Sequence, residues 1–326
     1  MKAIVYRSYG PPEVLRLEDI EKPIAADNEV VVKVHAAGVN PLDWHYMRGT
    51  PYIMRFGVGM SQPTSPRFGV DFAGSIEAVG KNVKLFKPGD AVFGGSKGAF
   101  AEYVSVREDG PLFLKPTSLS FEQAASVPIA AITALQAMRD KGRIQARQKV
   151  LINGASGGVG TFAVQIAKSY GAEVTGVCST RNVELVRSIG ADHVIDYTQE
   201  NYTRGVARYD LIVDMVGNHS LLNNRRVLSS DGNFVIIGGS KGKWLGPMAG
   251  PIKALFLAPF VSQTIGMMLA KLNPQDLNVL RDLLQTRKVT PVIDRTYKLS
   301  EVSDAIRYLE EGHARGKVVI SMASER

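Results

Sequence analysis

The residues with chemistry to offer gather around one loop. Val150 to Gly160 read Val-Leu-Ile-Asn-Gly-Ala-Ser-Gly-Gly-Val-Gly, a short apolar strand running into a glycine-rich turn and the start of a helix. Ala155-x-Gly157-x-x-Gly160 is a dinucleotide fingerprint with alanine at the first glycine position. Small residues there make the tight turn, let a pyrophosphate approach the backbone, and let helix and strand pack closely. The free N–H groups and dipole at the helix start then hold the phosphate anion. Ala155, Ser156, Gly157, Gly158 and Val159 are therefore candidate cofactor-binding residues. A bare match of this kind is weak. Here a strand precedes it and a helix follows, which is the context the motif requires. The competing explanation is a tight strand–helix turn with no ligand.

The residues that choose between coenzymes come next. In NAD-specific sites an acid closes the second strand and takes the ribose 2′-hydroxyl. Here the strand Val174–Cys178 ends in Ser179-Thr180-Arg181, with no acid. Two hydroxyls and a guanidinium suit a 2′-phosphate, because arginine offers fixed donors and a permanent charge. NADPH is the expected coenzyme. Arg181 as a solvated helix-start residue is the alternative. Tyr197, after the third strand, either flanks the same phosphate or packs half-buried on the sheet edge. Gly217 follows the fourth strand, and Gly238-Gly239-Ser240 the fifth. Both lie at carboxyl ends of strands, where open α/β sheets bind ligands, and are assigned to the nicotinamide half. Plain turn glycines would look the same.

Alternating elements must position these residues. The helix after the fingerprint is expected over Thr161–Tyr170, with Val159, Ala163, Ile166 and Tyr170 on one buried face, stopped by Gly171. Strands at Glu173–Val177, Val194–Ile195, Leu211–Val216 and Asn233–Ile237 alternate with helices over Asn182–Ile189 and His219–Val227. That alternation signals a parallel sheet with covering helices. Before it, residues 1 to about 122 read as short strands without helices: Lys2–Tyr6, Glu29–Asn40, Gly69–Val79, Asp90–Phe93 and Phe100–Val106. They argue for a small β-barrel-like domain. Ser120 with Gln123 marks a capped helix start, continued over Ala130–Arg139. The apolar run Ile252–Ala270 is interrupted by Pro259, Ser262 and Gln263, so it reads as a short helix to Leu257, a turn, and a buried strand over Thr264–Leu269 rather than a membrane span. Peripheral membrane contact through 247–270 stays open. Asn273-Pro274-Gln275-Asp276 starts a helix cleanly. Strand-like Thr290–Ile293 and Lys317–Ile320 flank a helix near Leu299–Glu311.

The 326 residues are enough for two domains with real cores, and 45% hydrophobic with 21% charged residues is ordinary for a globular protein. A net charge of +8 without a dense basic block gives no motif for nucleic acid. With one cysteine, Cys178, neither an intrachain disulfide nor a multi-cysteine zinc site can form. The N-terminus enters a strand at once, so a cytoplasmic location is the default expectation.

Five motifs together resemble the medium-chain dehydrogenase/reductase superfamily, in its zinc-free quinone-oxidoreductase-like branch. They are Ala36-Ala37-Gly38-Val39-Asn40-Pro41-Leu42-Asp43, Gly69-Val70-Asp71-Phe72-Ala73-Gly74, Lys87-Pro88-Gly89-Asp90-Ala91-Val92, the Asn153–Gly160 loop, and Gly316-Lys317-Val318-Val319-Ile320. The resemblance covers essentially the whole chain. It implies an α/β protein with a GroES-like β-barrel-type catalytic domain (residues 1–122 plus 288–326), a Rossmann doubly wound parallel-sheet domain for NADP (residues 123–287), and a substrate cleft between them. It places Asn40 and Thr133 at the nicotinamide region and adds Lys317 to the cofactor-binding set. A homodimer is common among such relatives.

Zinc alcohol dehydrogenases carry a ligand cysteine where this chain has Asn40, and Gly-His-Glu where it has Gly69-Val70-Asp71. His35, His45 and Asp71 have no ligand spacing, so no metal site is expected. Without zinc, a plain alcohol lacks its main electrophile. A quinone or α,β-unsaturated carbonyl already spreads incoming charge onto oxygen, so the protein needs mainly to hold coenzyme against acceptor and exclude water. Hydride transfer from NADPH to such an acceptor is the expected reaction. Tyr46 and Tyr52, on the loop after Asn40, would line the substrate or donate its proton, the latter only with a lowered pKa; loop packing is the alternative for each. Lys241–Pro251 reads as a mobile apolar pocket wall or a connector. Two other functions stay open: an NADPH-binding protein with little turnover, and a metal-assisted alcohol dehydrogenase.

Overall fold

The computed structural model describes residues 1–238 and 263–322. In chain order the first strands are β1 (Lys2–Val5), β2 (Arg16–Asp19), β3 (Glu29–Val39), β4 (Asp71–Val79), β5 (Ala91–Gly95), β6 (Tyr103–Arg107) and β7 (Leu112–Leu114). Between and after them lie α1 (Pro41–Arg48), α2 (Arg55–Val58) and α3 (Phe121–Ala125). The chain leaves this unit within α4 (Pro128–Gln136). There follow β8 (Lys149–Asn153), α5 (Gly158–Ser169), β9 (Glu173–Cys178), α6 (Val183–Ser188), β10 (His193–Asp196), β11 (Tyr209–Asp214), α7 (Leu221–Arg226), β12 (Leu228–Ile236) and β13 (Thr264–Met267). Last come α8 (Pro274–Gln285), β14 (Ile293–Lys298), α9 (Val302–Glu310) and β15 (Lys317–Ser321).

The first unit comprises Met1–Ala130, Leu272–Gln285 and Pro291–Arg326. Its seven-stranded sheet runs β14-β15-β3-β4-β5-β7, with β6 paired to β3. β15 lies antiparallel to β3 with Val318 opposite Val39, so the C-terminal tail closes on the N-terminal strands. Val30, Val32, Val34, Phe72 and Phe100 fill the core. α9 presents Val302, Ala305 and Ile306 to it, the i, i+3, i+4 spacing of one helix face. The segment Leu272–Gln285 groups with this unit, whereas the sequence assigned it to the cofactor domain. Its helix α8 starts as expected: Asn273 Oδ1 accepts from the Asp276 N–H at 2.9 Å and its amide donates back to Asp276 Oδ2 at 2.7 Å.

The second unit, Ala131–Lys271 with Thr286–Thr290, holds six parallel strands in the order β10-β9-β8-β11-β12-β13. The order reverses between β8 and β11, the switch point where doubly wound sheets bind ligands. Val150, Leu151 and Ile152 on β8 and Leu211, Ile212 and Val213 on β11 are all fully buried. Such unbroken apolar runs mark parallel strands covered on both faces.

Several expectations are corrected. Residues 41–48 form a helix, not a loop: Pro41 sits at its first position, and the Asp43 carboxylate accepts from the Asn40 N–H. Gly49, at φ +59°, ends it. β2 and β7 are strands the alternation pattern missed. β14 begins at Ile293, three residues later than expected, and α5 is buried nearly all round from Gly160 to Ala167 rather than on one face. β13 is an edge strand only part-buried, and Leu269 beyond it is exposed. Gly239, Ser240, the Lys241–Pro251 segment and the helix and turn expected before Gln263 lie outside the described residues. Among the described residues, no helix is long and apolar enough to cross a membrane.

Candidate functional site

The fingerprint loop lies at the carboxyl end of β8, beside the switch point. Gly154 takes the left-handed conformation, φ +89°, and the N–H groups of Gly154 and Ala155 both bond the Val177 carbonyl on β9. Ala155 is buried and needs no positive φ, which is why alanine replaces the first glycine without strain. Gly157 is the N-cap of α5, and Gly158 and Val159 begin it. The first-turn N–H groups have no partner inside the helix and are available to an anion. A Cβ on Gly160 would run into the Gly154 carbonyl, so the third glycine is required for the helix to approach the strand. This cradle fits a dinucleotide pyrophosphate.

At the end of β9, Ser179 is part-buried and Thr180 and Arg181 are exposed in a one-turn 3-10 helix. The structure brings an acid here that the sequence did not suggest. Asp196, closing β10, accepts from the Thr180 hydroxyl at 2.6 Å and from the Thr198 N–H at 2.9 Å. Thr180 is thus spent on Asp196, leaving Ser179 and Arg181 as the nearer candidates for a 2′-phosphate. Tyr197 is 52% exposed, and its N–H bonds the Cys178 carbonyl, which fixes it beside the same strand end. Asn182, which sequence reasoning did not single out, is buried and donates its amide to Ser156 Oγ at 3.0 Å and Ser179 Oγ at 3.2 Å.

The glycines after β11 and β12 have structural reasons to be glycine. Gly217 is at φ +67°, and its N–H is held at 2.9 Å by Oδ1 of buried Asp214, which also accepts from Val216 and Asn153. A Cβ on Gly238 would strike the Met215 carbonyl. Thr133 is buried on α4. Cys178 is buried, and burial pushes its thiol up to about 11.

In the first unit, Asn40, Asp43, Asp71 and Lys317 form a buried network, none of them more than 3% exposed. Lys317 Nζ donates to Asn40 Oδ1 at 2.6 Å and to the Val39 carbonyl at 3.0 Å. Asn40 Nδ2 donates to Asp71 Oδ2 at 2.9 Å, and Asp71 also accepts from the Ile129 N–H. Burial drives Asp43 up to about 8, with a smaller push from Asp71. Burial likewise raises Asp71 to about 6 against the opposing charge of Lys317, and lowers Lys317. Asp43 therefore holds its proton near neutral pH, and its Oδ1 has no hydrogen-bond partner among the described residues. Asp71 and Lys317 are linked through the Asn40 amide, and their opposite charges offset one another. Lys317 and Asn40, expected at the coenzyme, are both buried, and both ends of the Asn40 amide are engaged.

Tyr46 lies on α1 and Tyr52 in the 3-10 turn Tyr52–Met54, with the Arg55 guanidinium 4.6 Å over the Tyr52 ring. The lowered pKa that a Tyr46 acid would need is not there. Burial, then the nearby Asp43, raises it instead. His35 bonds Ser75 Oγ at 2.7 Å and His45 bonds the Thr50 carbonyl at 2.6 Å, each apart from Asp71. No three His, Cys, Asp or Glu side chains come together as a metal-binding group among the described residues.

Residues 26–117 match the family described as alcohol dehydrogenase GroES-like domain, and residues 189–320 the family described as zinc-binding dehydrogenase. The donor set at Asn40 does not fit the zinc of that second description: an amide, two carboxylates and a buried ammonium offer neither thiolate nor imidazole. The chain is 34% identical to the mitochondrial NAD(P)H oxidoreductase RTN4IP1 of Danio rerio, over 100% of this chain and 92% of that protein. It is 33% identical to the human quinone oxidoreductase, over 98% and 97%. The structure of Escherichia coli quinone oxidoreductase complexed with NADPH superimposes with a TM-score of 0.84 at 25% identity, covering 98% of this chain and 100% of that one.

Proposed function

The chain belongs to the medium-chain dehydrogenase/reductase superfamily as a quinone-oxidoreductase-like oxidoreductase, and from that premise we propose that it transfers hydride from NADPH to a quinone or α,β-unsaturated carbonyl without a metal ion. The observation that carries this reading is the bond from Lys317 to Asn40. The amide of Asn40 is bonded at both ends, to the buried Lys317 ammonium and to Asp71, and a positive charge beside an amide supports a site without a second cation. An acceptor polarised by its own conjugation needs no Lewis acid.

The residues divide the work. The α5 N-terminus with Ser156, Gly157, Gly158 and Val159 binds pyrophosphate. Ser179 and Arg181 hold the 2′-phosphate, with Tyr197 beside them. When bound, the reduced nicotinamide supplies one hydride. The acceptor gains that hydride and one proton, and the coenzyme leaves oxidised. Tyr52 lines the acceptor, and solvent supplies the proton, since burial makes Tyr46 a weaker acid than a free phenol.

Purified protein mixed with NADPH and a panel of quinones and enones tests this, with NADH and a chelator in parallel. The expected result is NADPH consumption that the chelator leaves unchanged. NADPH binding without turnover on any acceptor would move the protein to the low-turnover class. Activity that a chelator abolishes and a metal ion restores would overturn the metal-free reading.

A further inference from the structure

The coenzyme reading leaves Asn182 without a role, although it joins Ser156 and Ser179 in one polar cluster of the second unit. Ser156 belongs to the loop before α5 and is 8% exposed; Ser179 follows β9; Asn182 precedes α6 and is 5% exposed. Asn182 stands where asparagine usually caps a helix through its side chain. It makes no such cap here. Its amide instead turns to two serines from different loops, Oγ of Ser156 at 3.0 Å and of Ser179 at 3.2 Å. Its own Oδ1 is buried with no hydrogen-bond partner among the described residues. A buried polar atom left unpaired next to a forgone cap calls for a functional reason.

The reason lies in the hydroxyl hydrogens. A serine oxygen that accepts from an N–H must direct its single hydrogen elsewhere. Asn182 thus makes donors of both serines at once, one beside the helix N-terminus and one beside Arg181. Donors are what anionic oxygens need, and charge-assisted bonds of this kind are the strong ones. We propose that Asn182 is a positioning residue that presets Ser156 and Ser179 as hydroxyl donors to the phosphate groups of NADPH, tying 2′-phosphate selectivity to the pyrophosphate loop. This inference rests on the coenzyme reading above. Asn182 itself touches neither phosphate.

Affinities for NADPH and NADH, measured by titrating coenzyme fluorescence, test it on wild type, Asn182→Ala, Ser179→Ala and the double variant, with each thermal midpoint recorded. Asn182→Ala is expected to weaken NADPH about tenfold and NADH about threefold, since a bond to a charged group is worth more than one to a neutral group. Its loss of NADPH-over-NADH preference should match that of Ser179→Ala, and the double variant should add less than about twofold to either, because residues acting through one another are not additive. An equal loss for both coenzymes, no loss, or an additive double variant overturns the proposal. If Asn182→Ala does not fold, Asn182→Asp carries the test: its carboxylate accepts from both serines and turns their hydrogens inward, so an unchanged preference overturns the proposal. Wild-type protein that binds neither coenzyme overturns the coenzyme reading itself, and this inference with it.

Discussion

Lys317 Nζ lies 2.6 Å from Asn40 Oδ1, so the first residue of the last strand holds the residue that opens the first helix. The bond spans almost the whole sequence and joins the tail to β3 beside the backbone pairing of Val318 with Val39. Replacing Lys317 with Met leaves Asp71 buried with its charge unopposed. We expect a loss of about 3–5 kcal/mol, the cost of breaking a buried pair. Urea unfolding of Lys317→Met and of Lys317→Met with Asp71→Asn measures it. The double variant should be the more stable of the two, and a single variant as stable as wild type would refute the charge compensation across Asn40.

Asp43 sets a pH dependence. Its carboxyl binds a proton more tightly folded, at about 8, than unfolded, at its ordinary 3.8. The unfolded chain therefore ionises first, and the associated stability is full below about pH 4 and is lost as pH rises toward 8. Asp71, raised to about 6, adds to the same slope over the lower part of that window. Asp43→Asn keeps an oxygen to accept from the Asn40 N–H. It should flatten the fall of the thermal midpoint between pH 5 and 8, and an unchanged slope would show that Asp43 ionises normally.

Gly160→Ala should cost about 1–3 kcal/mol by overpacking, because the added carbon meets the Gly154 carbonyl. Coenzyme binding should weaken along with stability, since the same shift displaces the start of α5. Calorimetric unfolding and an NADPH titration of one preparation would show the two losses together, or only one of them.

Arg181→Gln separates the coenzymes. Removing a guanidinium from a phosphate is expected to reduce kcat/KM for NADPH about tenfold and to leave NADH nearly unchanged. Equal kinetics for the variant and wild type would return Arg181 to the solvated role considered from the sequence.

Tyr46→Phe should keep kcat within about threefold of wild type, because a phenol held above its ordinary pKa is a poor acid at neutral pH. A loss of a hundredfold or more would mean that Tyr46 gives up its proton in the reaction.

Much of this was legible because some residues act through their immediate neighbours. The run Val150–Gly160 specifies strand, turn and helix within eleven residues, and Ser120 with Gln123 forms the reciprocal cap its spacing suggests, at 3.1 and 3.0 Å. The helix over 41–48 carried a readable signal in Asn40-Pro41-x-Asp43. That signal is short and lies between two strands. Contacts made at long range were not legible. Nothing near Lys317 says that its ammonium meets Asn40, and nothing near Thr180 says that Asp196, sixteen residues on, takes its hydroxyl. Asn182 starts a helix, as its place in the sequence suggests, but its turn toward two other loops is a tertiary fact.

The lone thiol of Cys178 is buried and held neutral. Quinones and enones are alkylating agents, and the thiolate is the form of cysteine they attack. On the proposed function the protein would meet such compounds at every turnover, and its one cysteine is kept buried and neutral rather than offered to them. Acceptors of that class should then inactivate it more slowly than a protein with exposed cysteines.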